Sequence, residues 1–229
     1  MTAKAQPIDA LIFDLDGTLI DSAPDIAAAL NRYLADNGWP QLETAFVEQF
    51  IGRGPRQLLL DVFARNGHPT DDASMSRAYR AYIDNYAADP ASRTRYFPHV
   101  RADLEALAAT GFSLGICTNK PHALTARVLA ALGIDRLFAC AVGADAVPAC
   151  KPDPGHLLAV AARMNLSPGS FAYIGDTAVD QDTAAAAGVP FYVVPWGAGH
   201  TVKAPPAARL SRLADLLRLR RCGDAGSAA

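Results

Sequence analysis

The feature that most constrains this chain is a set of short apolar runs with almost no polar alternation: "ALIF" (10–13), "FSLGIC" (112–117), "FAYI" (171–174) and "FYVVP" (191–195). A strand that faces water on one side alternates apolar and polar residues. A strand covered on both faces loses that alternation, which is the mark of a parallel sheet. A weaker fifth run, "FACAVG" (138–143), falls between the second and third. From residue 99 onward the runs are separated by helical patterns: "VRADLEALAATG", "PHALTARVLAALG", "DPGHLLAVAARMN" and "DQDTAAAAG". These carry Pro near the start, Gly past the end, or both, as helices do. Strands alternating with helices of this length predict an α/β fold, a three-layer Rossmann-like core with a parallel sheet in the middle.

Residues 22–88 break the alternation, with the helical patterns "APDIAAALNRYLADNG", "ETAFVEQFIG", "PRQLLLDVFARNG" and "DASMSRAYRAYIDNYAA" and no convincing strand. Such a block is too long for an ordinary connection. It predicts an α-helical cap domain over residues 18–95, inserted into a core made of residues 1–17 and 96–221, with a disordered tail at 222–229. Hydrophobic residues at 51% and charged residues at 19% supply a core and give no sign of a disordered chain. A net charge of −2 without a basic block argues against nucleic acid as a partner. Cys117, Cys140, Cys150 and Cys222 show no C-x-x-C or metal-type spacing and read as reduced thiols. The start, "MTAKAQPIDA", lacks a signal-peptide core, and no apolar run approaches the ~18 residues of a membrane span. A soluble, cytoplasmic monomer or homodimer is expected.

In an open parallel sheet, ligands bind beyond the carboxyl ends of the strands. After the first run come Asp14, Asp16 and Thr18; after the second, Thr118, Asn119 and Lys120. Beyond the weak strand lies Lys151, and after the fourth run in chain order come Asp176, Thr177, Asp180 and Asp182. The fold rule thus gathers carboxylates, hydroxyls and a lysine at one sheet edge. Clustered carboxylates repel, so either protons or a cation must sit among them. Short oxygen ligands beside a lysine suit Mg²⁺, which takes one or two carboxylates and leaves room for water and phosphate oxygens. Thr118 and the amides after it precede a helix start, a position that favours phosphate. For Asp14 and Asp16 alone a turn role is as good a reading, because Asp-Gly is a turn former. A two-residue step along a strand would point both side chains to one face, beside the same metal. Asp182 reads as an acid favoured by a helix N-terminus. The five histidines lack paired ligand spacing, and Tyr79, Tyr82 and Tyr86 read as a core-facing stripe of the cap.

Together, "DLDGT", Thr118 in "ICTNK", Lys151 in "KPDP" and "GDTAVD" resemble, in order and spacing, the four motifs of the haloacid-dehalogenase superfamily. The resemblance spans nearly the whole chain. It implies a capped α/β core, Mg²⁺ dependence and phosphoryl transfer through an aspartyl-phosphate. Asp14 would then be the nucleophile and a metal ligand, and Asp16 the general acid/base with its backbone carbonyl on the metal. Thr118 and Lys151 would hold the transferring phosphoryl group, Asp176 would bind the metal, and Asp180 would act on it directly or through water. Thr18 and Asn119 would join the substrate pocket. Dehalogenase members lack the second acid, so Asp16 favours phosphate chemistry. Within the superfamily, "DGTLIDSAPDIAAALN" and "IGRGPRQLL" look most like phosphoglycolate phosphatases. Gly52 and Gly54 would let the cap backbone approach a small substrate, and Arg53 and Arg56 would meet its carboxylate, unless they are ordinary solvent-facing charges. Cys150 and Ala198 depart from the related pattern, the second at a position that bears on the substrate. Phosphatases for sugar phosphates, nucleotides or pyrophosphate stay open as alternatives. So do a phosphosugar mutase and, from another class, a silent binding protein.

Overall fold

The structure, a computed structural model, describes residues 8–167 and 169–220. The first strand, β1 (Ala10–Phe13), is followed by a short β2 (Ile20–Asp21). The chain then runs through α1 (Ala23–Asp36), α2 (Thr44–Glu48), α3 (Pro55–Asn66) and α4 (Asp72–Ala88), and returns through β3 (Arg95–Tyr96). Strand β3 pairs antiparallel with β2, Ile20 opposite Tyr96 and Asp21 opposite Arg95, so one two-stranded ribbon carries the chain into the insertion and back. The remainder alternates: α5 (Val100–Ala109), β4 (Ser113–Cys117), α6 (His122–Leu132), β5 (Cys140–Val142), α7 (Pro154–Arg163), β6 (Phe171–Gly175), α8 (Ala178–Ala187) and β7 (Phe191–Val193).

Five strands form one sheet in the order β5-β4-β1-β6-β7, and every pairing in it is parallel. Ile12 of β1 stands opposite Gly115 on one side and Tyr173 on the other. The central strand explains its own sequence. Leu11 and Phe13 pack into a cluster with Leu104, Leu107, Val128 and Leu129 of α5 and α6. Ala10 and Ile12 face the opposite layer, with Leu157 and Val160 of α7 and Ala184 of α8. Both faces are apolar, so the period-two pattern vanishes. Edge strands β5 and β7 are only partly buried.

The insertion has its own core, in which Leu30, Leu34, Leu59, Phe63, Tyr82 and Tyr86 cluster and Leu124 of α6 joins from below. Tyr82 and Tyr86 are buried in it while Tyr79 packs at its edge, so the core-facing reading of that stripe holds. At the base of the insertion the buried Asp25 carboxylate accepts 2.7 Å bonds from the Thr94 amide and hydroxyl, clamping the start of α1 to the approach of β3.

The pattern "ETAFVEQFIG" shortens to the five residues of α2, and the two-residue strands β2 and β3 had no sequence signature. Asp182 stands past the first turn of α8 and is exposed; the N-terminal acid there is Asp180. Among the described residues no helix is long and apolar enough to cross a membrane, and Cys117, Cys140 and Cys150 are free thiols. The expected disordered tail and Cys222 lie outside the described residues.

Candidate active site

Strand β1 ends at Phe13, and the Asp14 amide still donates to Ile174 O at 2.8 Å, so Asp14 sits on the last rung between β4 and β6. The chain then turns: the amides of Thr18 and Leu19 donate back to Leu15 O at 3.3 and 2.9 Å. Gly17 adopts φ +86°, and a Cβ there would lie 2.5 Å from an Asp176 oxygen, so the turn admits no side chain at that point. The turn also separates the two acids. Asp14 points to Lys151, 2.9 Å away, whereas the Asp16 carboxylate accepts from Ser22 Oγ at 2.6 Å and from Lys120 Nζ at 2.9 and 3.0 Å. The two carboxylates thus take different partners, where a two-residue step along a strand would have pointed both to one face. The step straddles the strand end, where strand alternation no longer applies.

Asp14, Asp176 and Asp180, all buried, each offer an oxygen within 4.8 Å of the others. Asp176 follows β6; its Oδ1 accepts from Thr18 Oγ1 at 2.7 Å and its Oδ2 from the Ala198 amide at 2.9 Å. Asp180 closes a reciprocal capping box with Thr177 at the start of α8. Its Oδ1 accepts from Lys151 at 2.7 Å and from Tyr173 at 2.8 Å. Its Oδ2 accepts from the Thr177 amide and hydroxyl at 3.1 and 2.6 Å. Lys151, 3% exposed, also donates to Tyr173 Oη at 2.9 Å.

The one ammonium pairs with Asp14 and Asp180 and not with Asp176, and the acids respond unequally. Burial, reinforced by Asp180 and Asp16, pushes Asp14 up to about 7 despite the attraction of Lys151. Burial, with Asp180 and Asp14, pushes Asp176 up to about 8. Burial also acts upward on Asp180, but Lys151 and the Thr177 and Tyr173 hydrogen bonds outweigh it and hold Asp180 below the usual carboxylate range. The same carboxylates overcome burial at Lys151 and raise it. Carboxylates pushed up by burial and by one another, offering only hard oxygen donors, fit a divalent cation. Burial raises the Cys117 thiol beneath them, which removes it as a nucleophile.

The insertion roofs this edge. A cavity of about 30 Å³ lies between Asp14, Asp16 and Thr118 below and Ile51, Leu58, Tyr82 and Tyr86 above. A wider cleft of about 500 Å³ opens on the far side of Asp16, bordered by Gly17, Asp176 and Thr177. Gly54, at φ +84°, brings the cap backbone so near the Asn119 carbonyl that a Cβ would sit 3.1 Å from it, and Gly52 lies against Thr177 in the same way. These glycines bring the roof down onto the core loops. Asn119 Nδ2 donates to Gly52 O in the roof and to Lys151 O in the floor, both at 3.0 Å, and its Oδ1 is buried without a partner among the described residues. Thr118 is buried on the cavity wall. Thr18, expected at the substrate, spends its hydroxyl on Asp176. Arg53 and Arg56 are exposed and line a separate shallow groove, with the Arg56 guanidinium 5.6 Å from the Tyr79 ring centre.

Four side chains were not picked out as site residues from the sequence: Ser22, Tyr86, Lys120 and Tyr173. One signal pointed at Lys120. Only four of the 21 basic residues are lysines, at 4, 120, 151 and 203, and two of those follow strand ends.

A doubly wound α/β core, a helical insertion after its central strand, and a buried acid–lysine centre at the strand ends define a class of capped enzyme. Residues 11–194 match the model of the haloacid dehalogenase-like hydrolases, and the chain belongs to that family. It is 39% identical over 190 residues to phosphoglycolate phosphatase of Cereibacter sphaeroides (strain ATCC 17029 / ATH 2.4.9), covering 83% of this chain and 86% of that protein. It is 36% identical over 209 residues to phosphoglycolate phosphatase of Rhodospirillum rubrum, covering 90% and 85%. The crystal structure of a predicted phosphoglycolate phosphatase from Haemophilus somnus 129pt superposes with a TM-score of 0.83 at 28% identity, covering 94% of this chain and 99% of that one.

Proposed function

We propose that this chain is a Mg²⁺-dependent phosphatase that hydrolyses 2-phosphoglycolate through an aspartyl-phosphate. The observation that carries the reading is the small roofed cavity with Asp14 and Asp16 on its floor. The relatives named for phosphoglycolate support the same substrate.

Asp14 and Asp176 would hold Mg²⁺, with the Asp16 backbone carbonyl as the expected third protein ligand. The four hydrogen bonds on Asp180 leave its oxygens fully engaged, so it would act on the ion through water and orient Lys151. The bound ion would neutralise charge on the phosphoryl oxygens. An Asp14 oxygen attacks phosphorus in line; the O–P bond of the ester breaks as Asp16 gives its proton to the departing glycolate oxygen. Asp16 then takes a proton from water, whose oxygen attacks the same phosphorus and frees the Asp14 carboxylate. Lys151 and Thr118 hold the transferring group throughout. The roof opens for exchange and closes for chemistry.

Ranking kcat/KM over a panel of phosphate esters, with Mg²⁺ and with EDTA, tests this. The expected result is Mg²⁺-dependent release of phosphate with 2-phosphoglycolate ahead of sugar phosphates, nucleotides and pyrophosphate. Turnover that survives EDTA, or another ester at the head of the ranking, would overturn it.

A further inference from the structure

We infer that Lys120, assisted by the Tyr86 hydroxyl, is the residue that reads the carboxylate of the substrate, a role that the sequence offered to Arg53 and Arg56. The inference rests on the phosphatase reading above and deepens it.

A substrate with a carboxylate at its far end needs a cation inside the closed cavity. Lys151 faces Asp14, Asp180 and Tyr173 on the phosphoryl side of the floor and is not among the residues that line the cavity. Arg53 and Arg56 line the outer groove, on the other side of Gly54 and Pro55. Lys120 is the cation on the cavity wall among the described residues, and it is 5% exposed. Taking an ammonium out of water costs several kcal/mol unless anions meet it, and at present its partners come from both domains. It donates to both oxygens of Asp16 in the core and, at 2.8 Å, to Tyr86 Oη of the cap, 4.4 Å above that ring's centre.

This arrangement can exchange partners. Asp16 keeps its 2.6 Å bond from Ser22 if the ammonium turns away from one of its oxygens. Tyr86 accepts from Lys120 and retains its own proton to donate. An ammonium and a phenol 2.8 Å apart therefore offer two donors to one incoming carboxylate, as close charge-assisted recognition requires. Ile26, Ile51, Leu58 and Leu124 make much of the rest of the lining apolar, and the other polar side chains toward the roof, Tyr82 and Asn119, carry no charge to meet a carboxylate.

The test compares kcat/KM for 2-phosphoglycolate with that for phosphoglycolamide, its neutral isostere, on the full chain. Wild-type enzyme is expected to favour the acid by ~30–100-fold, the range of one strong charge-assisted hydrogen bond. In Lys120→Met both esters lose the support that Lys120 gives Asp16, but the acid loses more, through KM, and the ratio falls to within about threefold of unity. Tyr86→Phe lowers the ratio ~3–10-fold and serves if Lys120→Met fails to fold in a thermal melt. Equal losses on both esters would make Lys120 only the counter-ion of Asp16 and overturn the inference. So would a wild-type ratio near one, or a ratio that collapses in Arg53→Ala with Arg56→Ala and not in Lys120→Met. Failure of the parent reading looks different: the wild-type enzyme would then release no phosphate from 2-phosphoglycolate while cleaving other esters.

Discussion

Floor and roof of the site are built on different principles. On the floor, Lys151 is fixed by Asp14 just past β1, Tyr173 within β6 and Asp180 in the first turn of α8, all parts of one α/β core. At the roof, Lys120 is held by Asp16 from the core and Tyr86 from the cap, two residues 70 positions apart. On the roles proposed above, reaction and recognition are assembled separately. Substitutions on the floor should slow every ester alike, and substitutions at the seam should change the ranking among esters.

The largest expected effect is at the nucleophile. Asp14→Asn should lower kcat on the order of 10⁴-fold or more for any ester while the metal-free protein melts no lower, because a repelling carboxylate leaves the buried cluster. Appreciable turnover in that variant would remove Asp14 from the mechanism. Lys151→Met should cost ~10³-fold in kcat and, unlike Asp14→Asn, should lower Tm, since it strips the cluster of its buried ammonium; a Tm at or above wild type would break the contrast. At the seam, Gly54→Ala pushes a methyl toward the Asn119 carbonyl at 3.1 Å, and a misplaced roof should cost ~10–100-fold in kcat/KM with Tm nearly unchanged.

The smallest effect is on stability and has a defined sign. Asp14 and Asp176 keep their protons to about 7 and 8 in the folded chain against a reference of 3.8. The folded state therefore holds more protons than the unfolded state above that reference, and stability falls as pH rises. Between pH ~6.5 and ~8.5 these two acids dominate. Below that, His156, buried and held down to about 4 by burial and then by Lys151, works the other way, since its unfolded form gains a proton. In EDTA, Tm should fall from pH ~6.5 to ~8.5. Added Mg²⁺ should flatten the slope and stabilise most at the alkaline end, and a Tm that rises across this interval in EDTA would contradict the assigned shifts.

The same division explains what the sequence made legible. β1 and β6 announced themselves because burial on both faces leaves continuous apolar runs, and the strand-end rule then located Asp14, Thr118, Lys151 and Asp176 without any contact being known. The divergence of Asp14 and Asp16 was hidden because it depends on where β1 stops. Lys120 and Tyr86 were hidden because their contact crosses domains, and no local period reports it. Arg53 and Arg56 show the converse: charge beside a glycine loop is visible in a sequence, but the side of the loop it faces is not.

The two-residue ribbon of β2 and β3 has a consequence for time as well as shape. Through it passes the whole insertion, and it rests on two residue pairs and the Asp25 clamp, while β1 is paired along both edges. In hydrogen-exchange terms the Thr94 amide, held by a carboxylate at the hinge, should exchange at the rate at which the cap lifts, whereas the Phe13 amide should wait for global unfolding. One exchange experiment would then clock the lid against the anvil beneath it.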